Sequence, residues 1–175
     1  MILELEDVCT FENKEVQIEV TIDMTSFDSK LGNFPFIEKK PFELHIVNEE
    51  NKRLLIQGET DVMIAIPCDR CLEEVQKKVN LSFDKKLPLE EAQEEGEDEL
   101  EAADYMTGFH LDVDRLVYDE ILVNWPMKVL CKDDCKGICK QCGVNLNLRD
   151  CDCSKTELDP RMAAIQDVFN KFKEV

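Results

Sequence analysis

The sequence predicts an α+β fold: an antiparallel β-sheet or part-barrel, one docked helix and a small cysteine-rich C-terminal lobe. Three observations predict it. Val16, Ile18, Val20, Ile22 and Met24 alternate with polar residues, a period of two that buries one face of a strand and wets the other. Val113, Leu116, Val117, Ile121, Asn124 and Trp125 recur at helical spacing, which lines one side of a helix with apolar groups. Six cysteines crowd between Cys131 and Cys153, with few large apolar residues among them.

Taken in order, residues 1–88 form the β-rich core. Phe42, Leu44 and Ile46 repeat the alternation, Asn48-Glu49-Glu50-Asn51 marks a turn, and Arg53 to Ile66 holds the returning strand. Gly58 inside that strand is read as a bulge. Val62, Ile64 and Ile66 share one face, and Val75, Val79, Leu81 and Phe83 share another, with Pro67-Cys68-Asp69-Arg70-Cys71 between them. That is an antiparallel hairpin with its cysteines at the tip. Residues 89–107 are dense in Glu and Asp and read as a linker, because like charges repel and leave little to bury.

Residues 108–126 hold the helix, capped by Asp112, stopped by Pro126 and docked on the core, with Trp125 as an anchor. Residues 127–155 form the cysteine lobe. Residues 156–175 form a closing helix, with Asp159-Pro160 at its start and Met162, Ile165, Val168, Phe169 and Phe172 on one face.

Composition narrows the function. The chain has 175 residues, 43% of them hydrophobic and 34% charged, which is enough for one domain with an appendage. The net charge of −18 repels nucleic-acid phosphate at long range and argues against broad, sequence-blind binding to RNA or DNA. A basic protein partner suits it better, with RNA reached only through a local patch. The start of the sequence has no basic leader, and no run approaches the roughly 18 apolar residues of a membrane span. The expected compartment is the cytoplasm, without a membrane partner. There the nine cysteines read as metal ligands or redox groups, since stable disulfides are rare under reducing conditions.

The cysteine cluster points to one structural zinc ion. Zinc takes four tetrahedral thiolate or imidazole ligands, usually in close pairs. Cys139-x-x-Cys142-Gly143 is a natural knuckle whose glycine allows a tight turn, and Cys151-x-Cys153 supplies a second pair. The preferred ligands are Cys139, Cys142, Cys151 and Cys153, with Cys131 or Cys135 as alternates for one of the last pair. A binuclear cluster and a set of free thiols are the remaining readings. Lys132, Lys136, Lys140 and Arg149 flank the cluster and offset its negative charge.

Cys68-Asp69-Arg70-Cys71 is separate. The favoured reading is a metal-free structural turn that presents Arg70 as a contact. A second metal knuckle, one sharing an ion with Cys139 and Cys142, and a thiol redox pair are the alternatives. Cys9 reads as a buried small apolar residue.

No enzyme stands out. His45 and His110, the only histidines, stand in no nucleophile–base pattern, and no phosphate-cradling glycine loop is present. A zinc held by four thiolates keeps no open position for hydrolysis, and no small-molecule substrate is expected.

Several segments in order resemble the YceD family, the large ribosomal RNA subunit accumulation proteins of bacteria and plastids. Cys68-Asp69-Arg70-Cys71-Leu72 resembles that family's Cys-x-Arg-Cys hairpin. Asp119-Glu120-Ile121-Leu122 with Trp125-Pro126 resembles its proline-ended helix. Cys135 to Asn147 resembles its tail signature, and Asp159-Pro160-Arg161-Met162-Ala163 its closing motif. The resemblance covers about residues 60 to 172. It implies a non-enzymatic ribosome-biogenesis role in the synthesis, processing or stability of 23S ribosomal RNA, with a basic ribosomal protein or assembly factor as partner. A zinc-stabilised adapter unrelated to ribosomes is the alternative.

Overall fold

The computed structural model describes residues 1–89 and 105–153. Most of the expected acidic linker and all of the expected closing helix lie outside the described residues. The elements in order are β1 (Ile2–Glu4), α1 (Glu6–Thr10), β2 (Glu15–Val20), β3 (Ser26–Ser29), β4 (Gly32–Lys39), β5 (Phe42–Glu49), β6 (Arg53–Pro67), β7 (Glu74–Pro88), β8 (Met106–Thr107), β9 (His110–Asp112) and α2 (Val113–Val123).

The main sheet is antiparallel, in the order β2-β5-β6-β4-β3, with β7 along the other edge of β6. It is not a closed barrel. Strands β6 and β7 pair at every position from Arg53↔Pro88 to Pro67↔Glu74. Leu54, Ile56, Val62, Ile64 and Ile66 of β6 and Val79, Leu81 and Phe83 of β7 are buried on the shared face, as their alternation requires. On its other side β6 changes neighbour midway. It pairs with β5 from Arg53 to Gly58 and with β4 from Val62 to Ile64.

Gly58 stands at that change and is not a bulge, because its register is unbroken on both sides. A Cβ there would lie 2.8 Å from the Glu43 carbonyl and 2.9 Å from Leu44. The glycine therefore serves close approach of β5. The irregular register falls instead in β4, between Phe36 and Glu38.

A second sheet of three short strands, β1-β9-β8, carries the start of α2. Residues His110–Asp112 pair with Ile2–Glu4, and the helix begins at Val113, directly after the Asp112 cap. The Asp112 side chain accepts from the backbone of Asp114 and Arg115, satisfying amides that the first turn leaves unpaired.

Val113, Leu116, Val117 and Ile121 are fully buried, and Trp125 closes an aromatic group. Its ring lies 5.0 Å from Phe27 and 4.9 Å from Phe34, with Tyr118 4.9 Å from Phe27. The one charged residue buried on the helix, Glu120, pairs with Lys85 of β7 at 2.8 Å, which ties α2 to the hairpin.

Candidate metal centres

Beyond α2 the chain runs back to the tip of the β6–β7 hairpin. The backbone of Val129 and residue Asp69 bond reciprocally. Asp69 N–H donates to the Val129 carbonyl at 2.9 Å, and Val129 N–H donates to the Asp69 carboxylate at 2.7 Å. This delivers Cys131 and Cys135 to Cys68 and Cys71. The four sulfurs lie within 4.8 Å of one another, with Cys68 to Cys135 at 3.9 Å and Cys71 to Cys131 at 3.5 Å. Cys68, Cys71 and Cys135 are buried, with Val75 and Leu130 packed over them, and Cys131 is exposed.

The remaining four tail cysteines form a second group. Cys139, Cys142, Cys151 and Cys153 also place their sulfurs within 4.8 Å of one another. Their scaffold is local. Gly143 N–H donates to the Cys139 carbonyl at 2.9 Å, and Cys139 N–H donates to Val144 at 2.8 Å. Gly143 has φ +71°, a left-handed conformation that glycine adopts without steric cost. Either group can hold a metal ion.

Electrostatics within the groups follow from crowding. Burial opposes ionisation of Cys68, but backbone N–H groups of Arg70, Cys71 and Cys131 outweigh it and bring the thiol down to about 6. Cys71 is helped by the backbone at Glu73, yet burial and the thiols of Cys131, Cys68 and Cys135 push it up to about 12. Cys139 is brought down to about 6, first by the backbone N–H groups of Cys142 and Gln141 and then by the Cys151 thiol. The Cys142 and Cys139 thiols together with burial push Cys153 up to about 12. One thiol ionises and discourages the next, as happens where negative charge gathers without a cation.

The structure therefore rearranges the sequence-based expectation in three ways. Cys131 and Cys135 are not alternates within the tail group, because they meet the hairpin cysteines. Cys68 and Cys71 do not reach Cys139 and Cys142. Arg70 is engaged rather than simply presented at the tip. Its Nη1 donates to the Cys135 carbonyl at 2.8 Å, and its own carbonyl accepts from Ile138 N–H at 3.1 Å.

Three supporting residues escaped sequence reasoning. Asn147 donates to the Cys135 sulfur at 3.2 Å and accepts from Lys136 N–H. Asn145 bonds Asn147 and, through its amide group, Glu73 at 2.9 Å. The available signals are the Asn-x-Asn spacing close to the cysteines and the place of both asparagines at the end of the Cys135 to Asn147 segment. Cys9 is half-buried, His45 pairs with Glu15 at 3.5 Å, and His110 is exposed.

Comparison with known proteins places the chain. A family model described as "Large ribosomal RNA subunit accumulation protein YceD" matches residues 56–169, a stretch that begins inside β6 and includes both cysteine groups. The chain belongs to the YceD family. Among curated relatives, "Large ribosomal RNA subunit accumulation protein YCED homolog 1, chloroplastic" of Arabidopsis thaliana is 27% identical over 139 residues, covering 65% of this chain and 43% of that protein. An uncharacterized protein of Mycobacterium tuberculosis is 22% identical over 123 residues, covering 70% of this chain and 59% of the relative. One of Mycobacterium leprae is 22% identical over 100 residues, covering 57% and 46%. The chain thus spans about half the length of the curated relatives it matches. No solved structure matches it. Among the described residues, no helix is long and apolar enough to cross a membrane.

Proposed function

We propose that this chain is a non-enzymatic ribosome-biogenesis factor that supports the synthesis, processing or stability of 23S ribosomal RNA in the cytoplasm. The observation that carries the reading is the YceD family match across residues 56–169. A net charge of −18 fits a factor that engages a basic ribosomal protein or assembly factor, and it leaves rRNA contact to a local patch. The lysines around the tail cysteines, Lys132, Lys136 and Lys140, are exposed and offer such a patch.

Within this reading the tail group, Cys139, Cys142, Cys151 and Cys153, holds a structural zinc. Four thiolates suit that ion and fill its coordination, so its contribution is to folding rather than to catalysis. The segment has little apolar material of its own, and a closed metal site supplies the order that a core would otherwise give.

The test is sedimentation of cell extracts after depletion of the protein. The expected result is a fall in the ratio of 23S to 16S rRNA, with the tagged protein found on large-subunit precursors at low salt and released at high salt. An unchanged ratio with no ribosomal association would overturn the reading in favour of an adapter unrelated to ribosomes.

A further inference from the structure

We propose that Cys68, Cys71, Cys131 and Cys135 form a second, independent zinc site that clasps the tip of the β6–β7 hairpin to the chain after α2. The first support is the donor set. A zinc ion bound by four thiolates at about 2.3 Å sets the sulfurs about 3.8 Å apart along the edges of a tetrahedron. The sulfurs of Cys68 and Cys135 are 3.9 Å apart, and those of Cys71 and Cys131 3.5 Å. All six separations stay within 4.8 Å. One ion fits that space. A cluster of four irons seats each cysteine on its own iron and holds the sulfurs further apart.

The second support is independent of the sulfurs. The hairpin turn and the tail turn have the same backbone construction. In the hairpin, Leu72 N–H donates to the Cys68 carbonyl at 2.9 Å. In the tail, Gly143 N–H donates to the Cys139 carbonyl at 2.9 Å. The residue after the second cysteine is left-handed in both, Leu72 at φ +62° and Gly143 at φ +71°. In both, the first sulfur faces the N–H groups two and three residues on, Arg70 and Cys71 in one turn, Gln141 and Cys142 in the other. Leu72 is 64% exposed, so burial of its side chain does not account for a conformation that leucine disfavours. Orientation of two sulfurs toward one point does.

Donors around the sulfurs complete the site. Cys131 N–H points at the Cys68 sulfur at 3.4 Å, and the Asn147 side chain donates to the Cys135 sulfur at 3.2 Å. The Arg70 guanidinium, on the Cys135 carbonyl at 2.8 Å, adds positive charge beside four thiolates that keep a net charge of −2 around Zn²⁺. Binding displaces the thiol protons into solvent and involves no change of oxidation state.

Metal content of the reduced full chain, measured by mass spectrometry of the element, tests the site. The expected result is two zinc ions per chain, falling to one in Cys71→Ser, to one in Cys131→Ser and to one in Cys142→Ser. One zinc in the parent that survives in Cys71→Ser and is lost in Cys142→Ser overturns the second site while leaving the tail site standing. One zinc lost in Cys71→Ser and kept in Cys142→Ser upholds the second site and removes the tail one. Because a serine variant can misfold, the metal-free parent is also titrated with Co²⁺ and followed by thiolate-to-cobalt absorbance. Saturation at two equivalents supports the inference. A saturation point that is the same in the parent and in Cys71→Ser, or disulfides joining Cys68 to Cys135 or Cys71 to Cys131 in the freshly purified protein, overturns it. None of these readouts depends on ribosome association.

Discussion

The guanidinium of Arg70 donates to the carbonyl oxygen of Cys135 at 2.8 Å. The contact joins the turn of one hairpin to a loop 65 residues further along, and it does so without using either sulfur. Arg70 belongs to the clasp as a brace and not as a ligand. Substitution Arg70→Ala is expected to cost about 1 kcal/mol, or roughly 2–4 °C in melting temperature for a chain of this size. Metal content should not change. A melting curve with parallel metal analysis checks both, and loss of metal would show that the guanidinium is needed to hold the thiolates.

Gly137 and Gly143 are both left-handed, at φ +78° and +71°, yet they meet different surroundings. A Cβ on Gly137 would lie 2.9 Å from the Arg70 carbonyl, whereas one on Gly143 would meet nothing within 4 Å. Gly143→Ala is expected to cost about 1 kcal/mol, the backbone penalty alone. Gly137→Ala should cost clearly more, since the hairpin and the tail must also move apart. Denaturant midpoints of the two variants, compared in one experiment, decide the order.

Leu72 is exposed and left-handed, so Leu72→Gly removes a steric cost of about 1–2 kcal/mol and adds unfolded-state entropy worth about 0.5–1 kcal/mol. The expected outcome is a variant as stable as the parent or more stable by up to about 1.5 kcal/mol, with its metal content unchanged. A drop in the denaturant midpoint would show that the leucine side chain contributes contacts that its exposure does not suggest.

Much of this arrangement was legible in the sequence, and what was not has a common cause. The β6–β7 hairpin follows from alternation at Val62, Ile64, Val79 and Leu81, and the start of α2 follows from Asp112, because both signals act between near neighbours. The turn at Cys139, Cys142 and Gly143 is local in the same way. The union of Cys71 with Cys131 spans 60 residues, and spacing carries no information at that range. Local spacing therefore gives the hairpin cysteines a turn of their own and says nothing of Cys131 and Cys135 beside them. The short sheet of β1 and β9 escaped for the same reason, since Leu3↔Leu111 is a pairing of three-residue strands with no periodicity to announce them.

The aromatic group under α2 makes a sensitive probe. Phe27 is fully buried and touches Tyr118 and Trp125, the only tryptophan of the chain. Phe27→Ala is expected to cost about 3–5 kcal/mol and to shift Trp125 emission to longer wavelength as water reaches the indole. Emission at the parent's wavelength, measured below the variant's melting temperature, would mean that Trp125 is held by other contacts.

With zinc at the two proposed sites, treating the reduced protein with a chelator should loosen the chain unevenly. Backbone amides at the hairpin tip, Cys68 through Leu72, and of the tail from Cys131 onward are expected to exchange with solvent faster. Those in the middle of β6 and β7, such as Ile56 and Leu81, sit in the buried sheet and should stay protected. Uniform acceleration would mean that the metal stabilises the whole domain rather than its clasp.

The distance in sequence between the two halves of the hairpin group also has a consequence in time. A chain made from its N-terminus at about 5–20 residues per second exposes Cys71 roughly 3–12 s before Cys131 exists to join it. Once Pro88 has been made, part-way through that interval, β6 has the whole of its partner β7, and the hairpin then carries two thiols without their partners. The nascent protein is at its most open to oxidation, or to capture of an ion by half a site, in those seconds. Arrival of the segment after α2 ends the exposure, so translation speed sets how long each chain waits before its hairpin cysteines meet Cys131 and Cys135.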